Sequence, residues 1–400
     1  MKCAQAVVGA DKVEKMNSRE RLLCTLNHKE PDRVPLDIGG TLVSSISHVA
    51  YLRLREYLGL PKEEVRIFDE VQGLAQISPD MIERLNVDAR GVFMGNWKDY
   101  KVERWSDENF QYFKDMWGIT WRKPVEGGYY YDHWNNPIQG DDISVLANYP
   151  WPDPFDRSRW SGLKEQAARI RAAGYPVILG SCGMTVGLIQ TMQFLQGYVD
   201  SYTNMAGNPE FTGAMLDKLT ELDLQFWEVF LEDMGEDLDV VLYADDFAGQ
   251  NGLLISPKTI DTYFRPRYRQ IWDLLHKKAP TVKTLFHSCG AIAPFFIELL
   301  IDIGVEIVNP VQVSAAGMDT KKLKQEYGKD IVFWGGGVDT QKVLPRGTPE
   351  EVREEVKRRL DDLMPGGGFV FATVHNIQAD VPPENIMAMW ETLQEYGQYS

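Results

Sequence analysis

Three residues in the second half of the chain have the types and spacing of a metal site. His287 and Cys289 lie two apart at the end of an apolar run, TVKTLFHSCG. In an extended strand residues i and i+2 point to the same side, so an imidazole and a thiolate would emerge together. That pair suits zinc, which takes nitrogen and sulfur ligands in tetrahedral geometry. His375, at the end of the later run FVFATVHN, is a candidate third ligand, and Asp246 or Asp245 a candidate fourth. A plainer role also fits, with Cys289 a small buried residue and His287 a hydrogen-bonded core histidine.

A second cluster, Tyr243-Ala-Asp245-Asp246, closes the run LDVVLYADD. Adjacent carboxylates at the end of an apolar strand are unfavourable unless paired or bound to a cation. Asp245 and Asp246 are therefore candidates for general acid/base work, for a place on the metal, or for capping the next element, with Tyr243 placed to orient a substrate. Other strand-like runs end in Asp37, Cys182, Asn309, Gln312, Trp334 and Asp339. Of these, Asp37, Cys182, Gln312 and Trp334 are read as substrate contacts. Gly335-Gly336-Gly337 reads as a tight turn, because no basic residue follows to help hold an anion.

The elements that would carry these residues recur regularly. Apolar runs at 177–180, 238–246, 281–290, 305–313, 330–337 and 369–376 alternate with amphipathic segments such as MLDKLTELDLQFWEVFLEDM and PEEVREEVKRRLDDLM. Earlier strands are expected at Arg33–Gly40 and Val87–Phe93, with a helix over Tyr51–Leu58 between them. This alternation predicts an α/β protein with a parallel sheet covered on both faces, a (β/α)8 TIM barrel in one domain spanning 1–400. Functional residues then belong at the C-terminal strand ends. A doubly wound sheet is the alternative, weakened because no GxGxxG or P-loop opens any of the helices.

Two regions depart from the repeat. Residues 1–32 predict a helical extension carrying the amphipathic SRERLLCTLNHKE. Residues 95–160 hold Trp97, Trp105, Trp117, Trp121, Trp134, Trp151, Trp160 and the Tyr129-Tyr130-Tyr131 run, with little helical periodicity. They predict an inserted subdomain of short antiparallel strands and loops, too aromatic to stay solvated. Its aromatics either pack among themselves or wall a ligand pocket. In the second case the residues from Tyr129 to Trp134 would form the wall, with Tyr131 and Trp134 the candidate substrate contacts.

A formal charge of −16 over 400 residues argues against nucleic acid and anionic membrane surfaces as partners, with solubility the plainer reason for the acidity. No apolar run reaches the roughly 18 residues of a membrane span, and the start of the chain lacks the pattern of a secretory signal. Cys3, Cys24, Cys182 and Cys289 are too scattered for a disulfide framework. Together these features point to the cytoplasm.

The motifs RVPLDIGG, DMWGITWR, WPDP, YADDFAGQNGLLISP, LFHSCG and WGGGVDT…LPRGTPEEVREEV, in this order from about residue 18 to 397, resemble uroporphyrinogen decarboxylase-like proteins. They are more similar to the corrinoid-dependent methyltransferase branch of that superfamily. The branch resemblance implies a zinc held by the His-x-Cys pair, here His287 and Cys289, and by a distant cysteine near the last strand. This chain has His375 at that place, which leaves open a two-histidine, one-cysteine site. It equally leaves open a metal-free catalytic histidine, because the decarboxylases carry one there. The decarboxylases' arginine-rich RQAGR loop has no counterpart here. The equivalent run is Asp37-Ile38-Gly39-Gly40, and a many-carboxylate porphyrinogen would meet like charges.

The resemblance thus implies an O-demethylase-type methyltransferase. Its partners are a small methylated compound, expected to be a methoxylated aromatic, and a corrinoid (cobalamin) carried by a separate protein. Zinc would act as the Lewis acid. A methylcobalamin:thiol methyltransferase, a metal-independent decarboxylase of a small acid, and a non-catalytic binding protein remain alternatives, and pairing into a homodimer stays open.

Overall fold

The computed structural model describes residues 15–399, so residues 1–14 of the expected N-terminal extension lie outside it. Seven parallel strands form the central sheet: Arg90–Val92, Val177–Leu179, Val240–Ala244, Lys283–His287, Ile307–Asn309, Val332–Trp334 and Phe369–Val370. Their spatial order follows their sequence order throughout, each step crossed by helices. These strands are short, apolar and buried on both faces, as parallel strands between helical layers must be.

The expected eighth strand, over Arg33–Gly40, does not form. In its place the segment spans the gap between the two sheet edges. Leu36 makes one parallel bridge to Phe371, and Asp37 N–H donates to the Phe371 carbonyl at 2.8 Å. On the other side Asp88 N–H donates to the Leu36 carbonyl at 2.9 Å. The ladder stays irregular because Pro35 supplies no N–H and Gly39 turns at φ 89°. The result is a curled seven-stranded sheet where an eight-stranded closed barrel was expected.

The closing segment is fastened by charge. The buried Asp88 carboxylate accepts from Arg21 Nη1 at 2.7 Å, from Arg33 Nη1 and Nη2 at 2.7 and 2.9 Å, and from Leu36 N–H at 2.9 Å. Arg21 comes from the helix Ser18–Leu26, so that helix is tied to the same carboxylate.

The sheet separates two apolar clusters. Inside the curl lie Ile178, Val240, Leu242, Ala244, Leu285, Ile307, Val332, Trp334 and Val370. Their alternate neighbours, including Val241, Tyr243, Phe286, Val308 and Phe333, pack outward against the helices. The helix Pro209–Met234 illustrates the helical layer: Phe211, Met215, Leu219, Leu222, Phe226 and Phe230 recur every three or four residues and are all buried. Between Arg90–Val92 and Val177–Leu179 the chain forms a separate four-stranded antiparallel sheet of Glu103–Ser106, Phe110–Lys114, Thr120–Pro124 and Asp132–Asn135. Among the described residues no helix is long and apolar enough to cross a membrane.

Candidate functional site

Three side chains from two distant strand ends converge inside the curl. The ligand atoms of His287, Cys289 and His375 all lie within 4.8 Å of one another. His287 Nε2 is 3.4 Å from Cys289 Sγ, and the His287 and His375 rings meet at 5.5 Å between centroids.

Each is positioned by its backbone. His287 ends the strand Lys283–His287, and its Nδ1 lies 2.5 Å from Asn309 Oδ1 on the neighbouring strand. Cys289 sits in a loop held on both sides: its N–H donates to Asp246 Oδ1 at 2.7 Å, and Gly290 N–H donates to Gln312 Oε1 at 2.7 Å. Gly290 has φ 94°, and a Cβ there would stand 2.6 Å from the Ala248 carbonyl, so the loop requires glycine. His375 lies beside Asn376, whose side chain accepts from Ser45 N–H at 2.6 Å and donates to Leu42 O and Gln72 Oε1 at 2.9 and 2.8 Å. These bonds tie its loop to the segment that follows Asp37.

The electrostatics favour neutral imidazoles. Burial lowers His287 to about 4, against the bond to Asn309. Burial, with His287 facing it, lowers His375 to about 4. Burial, aided by Asp246, pushes the Cys289 thiol well up, and burial raises Asp246 itself. A neutral histidine pair beside a thiol is a donor set that a divalent ion would complete, since a bound cation reverses the burial term on the sulfur. The residues present therefore fit zinc.

Asp246 points into the same space, its second oxygen accepting from Gln190 Nε2 at 3.2 Å. The structure turns Asp245 and Tyr243 away from that space. Asp245 is fully buried against the helix Leu188–Gln196, accepting from Ile189 and Gln190 N–H at 2.8 and 2.9 Å and from the Tyr268 hydroxyl. Tyr243 OH donates to buried Asp223 at 2.9 Å. Neither reaches the histidines. Asp37 is buried and saturated by Gly40 N–H, Ser44 Oγ and Trp334 Nε1, the last at 2.8 Å. Trp334 fills the interior beneath the site, and Gln312 pins the Cys289 loop. Cys182 lies in the interior, its thiol pushed far up by burial and by Asp223, Asp245, Asp69 and Asp246 around it.

Trp134 is exposed on the outer face with the Arg122 guanidinium 3.2 Å above its ring, and Tyr131 packs edge-on against Phe113. Tyr130, beside Tyr131 in the chain, is half-buried. Burial holds its phenol up at about 12, with Gln378 beside it and the charges of Asp69, Asp380 and Cys289 acting on it. Asp69 escaped the sequence reading. It belongs to the hairpin Ile67–Asp69/Leu74–Ala75, which touches the His375 loop through Gln72 and Asn376. Burial raises its carboxyl to about 6. A carboxylate followed by glycine within a short turn, Asp69 to Gly73, was the only signal available for it.

Residues 134–396 match the family described as uroporphyrinogen decarboxylase (URO-D). The chain belongs to this family. It is similar to a methylcobamide:CoM methyltransferase, MtbA, of Methanosarcina acetivorans, 24% identical over 59% of this chain and 64% of the relative. It is also similar to the protein of that name in Methanosarcina mazei, 23% identical over 64% of this chain and 68% of the relative. A uroporphyrinogen decarboxylase of Pseudoalteromonas atlantica is 22% identical over 68% of this chain and 74% of its own length. The chain thus spans just under two thirds of the length of the first of these relatives.

Proposed function

We propose that this URO-D family enzyme is a zinc-dependent methyltransferase that moves a methyl group from a small methylated compound, a methoxylated aromatic, to the cobalt of a corrinoid carried by a partner protein. The observation that carries the reading is the convergence of His287, Cys289 and His375 within 4.8 Å. The similarity to proteins named methylcobamide:CoM methyltransferase supports the corrinoid side. In this reading the segment at 33–37 stands in for the eighth strand, and the site opens at the mouth of the barrel.

His287 Nε2, Cys289 Sγ and His375 would hold the zinc, with Asp246 the nearest further oxygen donor. Bound there, zinc supplies a Lewis acid that draws electron density from a coordinated oxygen. Two neutral imidazoles and one thiolate leave more positive charge on such a site than one imidazole and two thiolates do. That difference favours activating an ether oxygen over holding a thiolate nucleophile. It argues for the demethylating direction and against the thiol-methylating alternative. Asp246 keeps the Cys289 backbone in place, and Asp69 and Tyr130 are the acids that would pass a proton to the departing oxygen in this reading.

The test is single-turnover methyl transfer from methoxybenzene derivatives to free cobalt(I) cobalamin, followed by the visible spectrum of methylcobalamin. Zinc-loaded protein is expected to methylate cobalamin, and Cys289→Ala to be inactive. Decarboxylation of a small acid by the metal-stripped protein, without any methyl transfer, would overturn the reading.

A further inference from the structure

We propose that Asn309 is a positioning residue that sets which ring nitrogen of His287 faces the zinc site, and that the main-chain carbonyl of Trp334 sets the orientation of Asn309. The proposal rests on the zinc reading above for its functional meaning, but its geometry is independent of it.

Hydrogen-bond capacity fixes both orientations. Asn309 Nδ2 lies 2.7 Å from the Trp334 carbonyl oxygen. A carbonyl oxygen only accepts, so the atom facing it must be the amide NH2. The amide oxygen is then forced to the other side, where it lies 2.5 Å from His287 Nδ1. An amide oxygen also only accepts, so Nδ1 must carry the proton. A neutral imidazole has one N–H, which leaves Nε2 with its lone pair directed toward Cys289 Sγ, 3.4 Å away, and the space shared with His375.

No water can substitute for this chain of bonds. Asn309 and Trp334 are 0% exposed and His287 4%. The contacts are built into the sheet: His287 pairs with Asn309 in parallel register, and Ser288 N–H donates to the Asn309 carbonyl at 2.7 Å. Aspartate and the apolar side chains at 309 would fail to accept from Nδ1–H or fail to donate to the Trp334 carbonyl. Aspartate keeps the first bond and loses the second, whereas leucine loses both at similar volume. Partners of this kind, behind a ligating histidine, typically change metal affinity by about 10- to 100-fold when removed.

The experiment uses full-length protein labelled with 15N at histidine, metal-free, with the His287 signals assigned by their loss in His287→Gln. Ring-nitrogen shifts report the tautomer, and competition with a chromophoric chelator reports zinc affinity. Wild-type His287 is expected to be protonated at Nδ1. Asn309→Leu should lose that preference and bind zinc about 10- to 100-fold more weakly, and Asn309→Asp should keep the tautomer and lose less affinity. A wild-type His287 protonated at Nε2 overturns the proposal even if Asn309→Leu does not fold. An unchanged tautomer in Asn309→Leu overturns it equally. Wild-type protein that binds no zinc but shows the tautomer lost in Asn309→Leu contradicts the zinc reading and leaves the assignment of Asn309 standing.

Discussion

Asp245 and Asp246 are consecutive residues, yet their carboxylates hold different parts of the molecule. Asp246 accepts from the Cys289 backbone and the Gln190 side chain, whereas Asp245 accepts the first-turn N–H groups of the helix Leu188–Gln196. The two substitutions should therefore separate. Asp245→Asn places an NH2 among three donors and should destabilise the protein by about 1–3 kcal/mol, with zinc still bound by the folded fraction. Asp246→Ala should cost little stability but lower zinc affinity about tenfold. Urea melts and chelator competition on both variants check this.

The segment that closes the sheet depends on one buried carboxylate serving two buried guanidinium groups. Asp88→Ala leaves Arg33 without its buried carboxylate and Arg21 with the Asp32 carboxylate alone, and should destabilise by about 3 kcal/mol, as read from denaturant midpoints. Restoring most of the stability with Asp88→Asn would show that the charge on Asp88 contributes little.

Stability should also depend on the buried, cation-free Asp223. Burial raises it to about 6, against its bonds to Thr185 and Tyr243. A raised carboxyl pKa means that the fold prefers the protonated form. Its stabilising contribution is full below the unfolded value near 4 and is lost as pH climbs through about 6. Wild-type protein should lose about 1–2 kcal/mol from this group between pH 5 and 8, and Asp223→Asn should flatten that part of the profile. Paired urea melts at the two pH values decide it.

Among the described residues neither Asp69 nor Asp246 takes part in an ion pair, so the mouth has acids without matching bases. A carboxylate about 8 Å from Asp69, at an effective dielectric near 20, meets about 2 kcal/mol of repulsion, or roughly 30-fold. Neutral methoxybenzenes should accordingly outperform methoxybenzoates by about 10- to 30-fold in kcat/KM, and Asp69→Asn should narrow the gap. Equal rates for the two classes would remove Asp69 from the substrate's surroundings.

The positions of His287, Cys289 and His375 were legible because apolar runs mark the strands that lead into them, although those strands end at His287 and Val370, short of Cys289 and His375. Which face each residue takes was not legible at Asp245 and Asp246. Strands buried on both faces carry no polar alternation, so nothing in LDVVLYADD separates inward from outward positions. The antiparallel insert was readable from its aromatic and turn-rich composition. The residues Tyr129 to Trp134 could not be told apart, because the bond from Tyr131 N–H to the Val71 carbonyl and the packing of Tyr131 on Phe113 are tertiary contacts. Pro35 marked the limit of the first strand in plain view, and reading it would have reduced the expected eight strands to seven.

The most direct measurement is zinc content with X-ray absorption on protein purified without chelator or affinity tag, for wild type and His375→Ala. The account predicts about one zinc per chain, with one sulfur near 2.3 Å and nitrogen or oxygen ligands near 2.0–2.1 Å, and one imidazole fewer with weakened binding in the variant. Protein that takes up no zinc when it is supplied, or a site whose ligand shell is unchanged in His375→Ala, would contradict it.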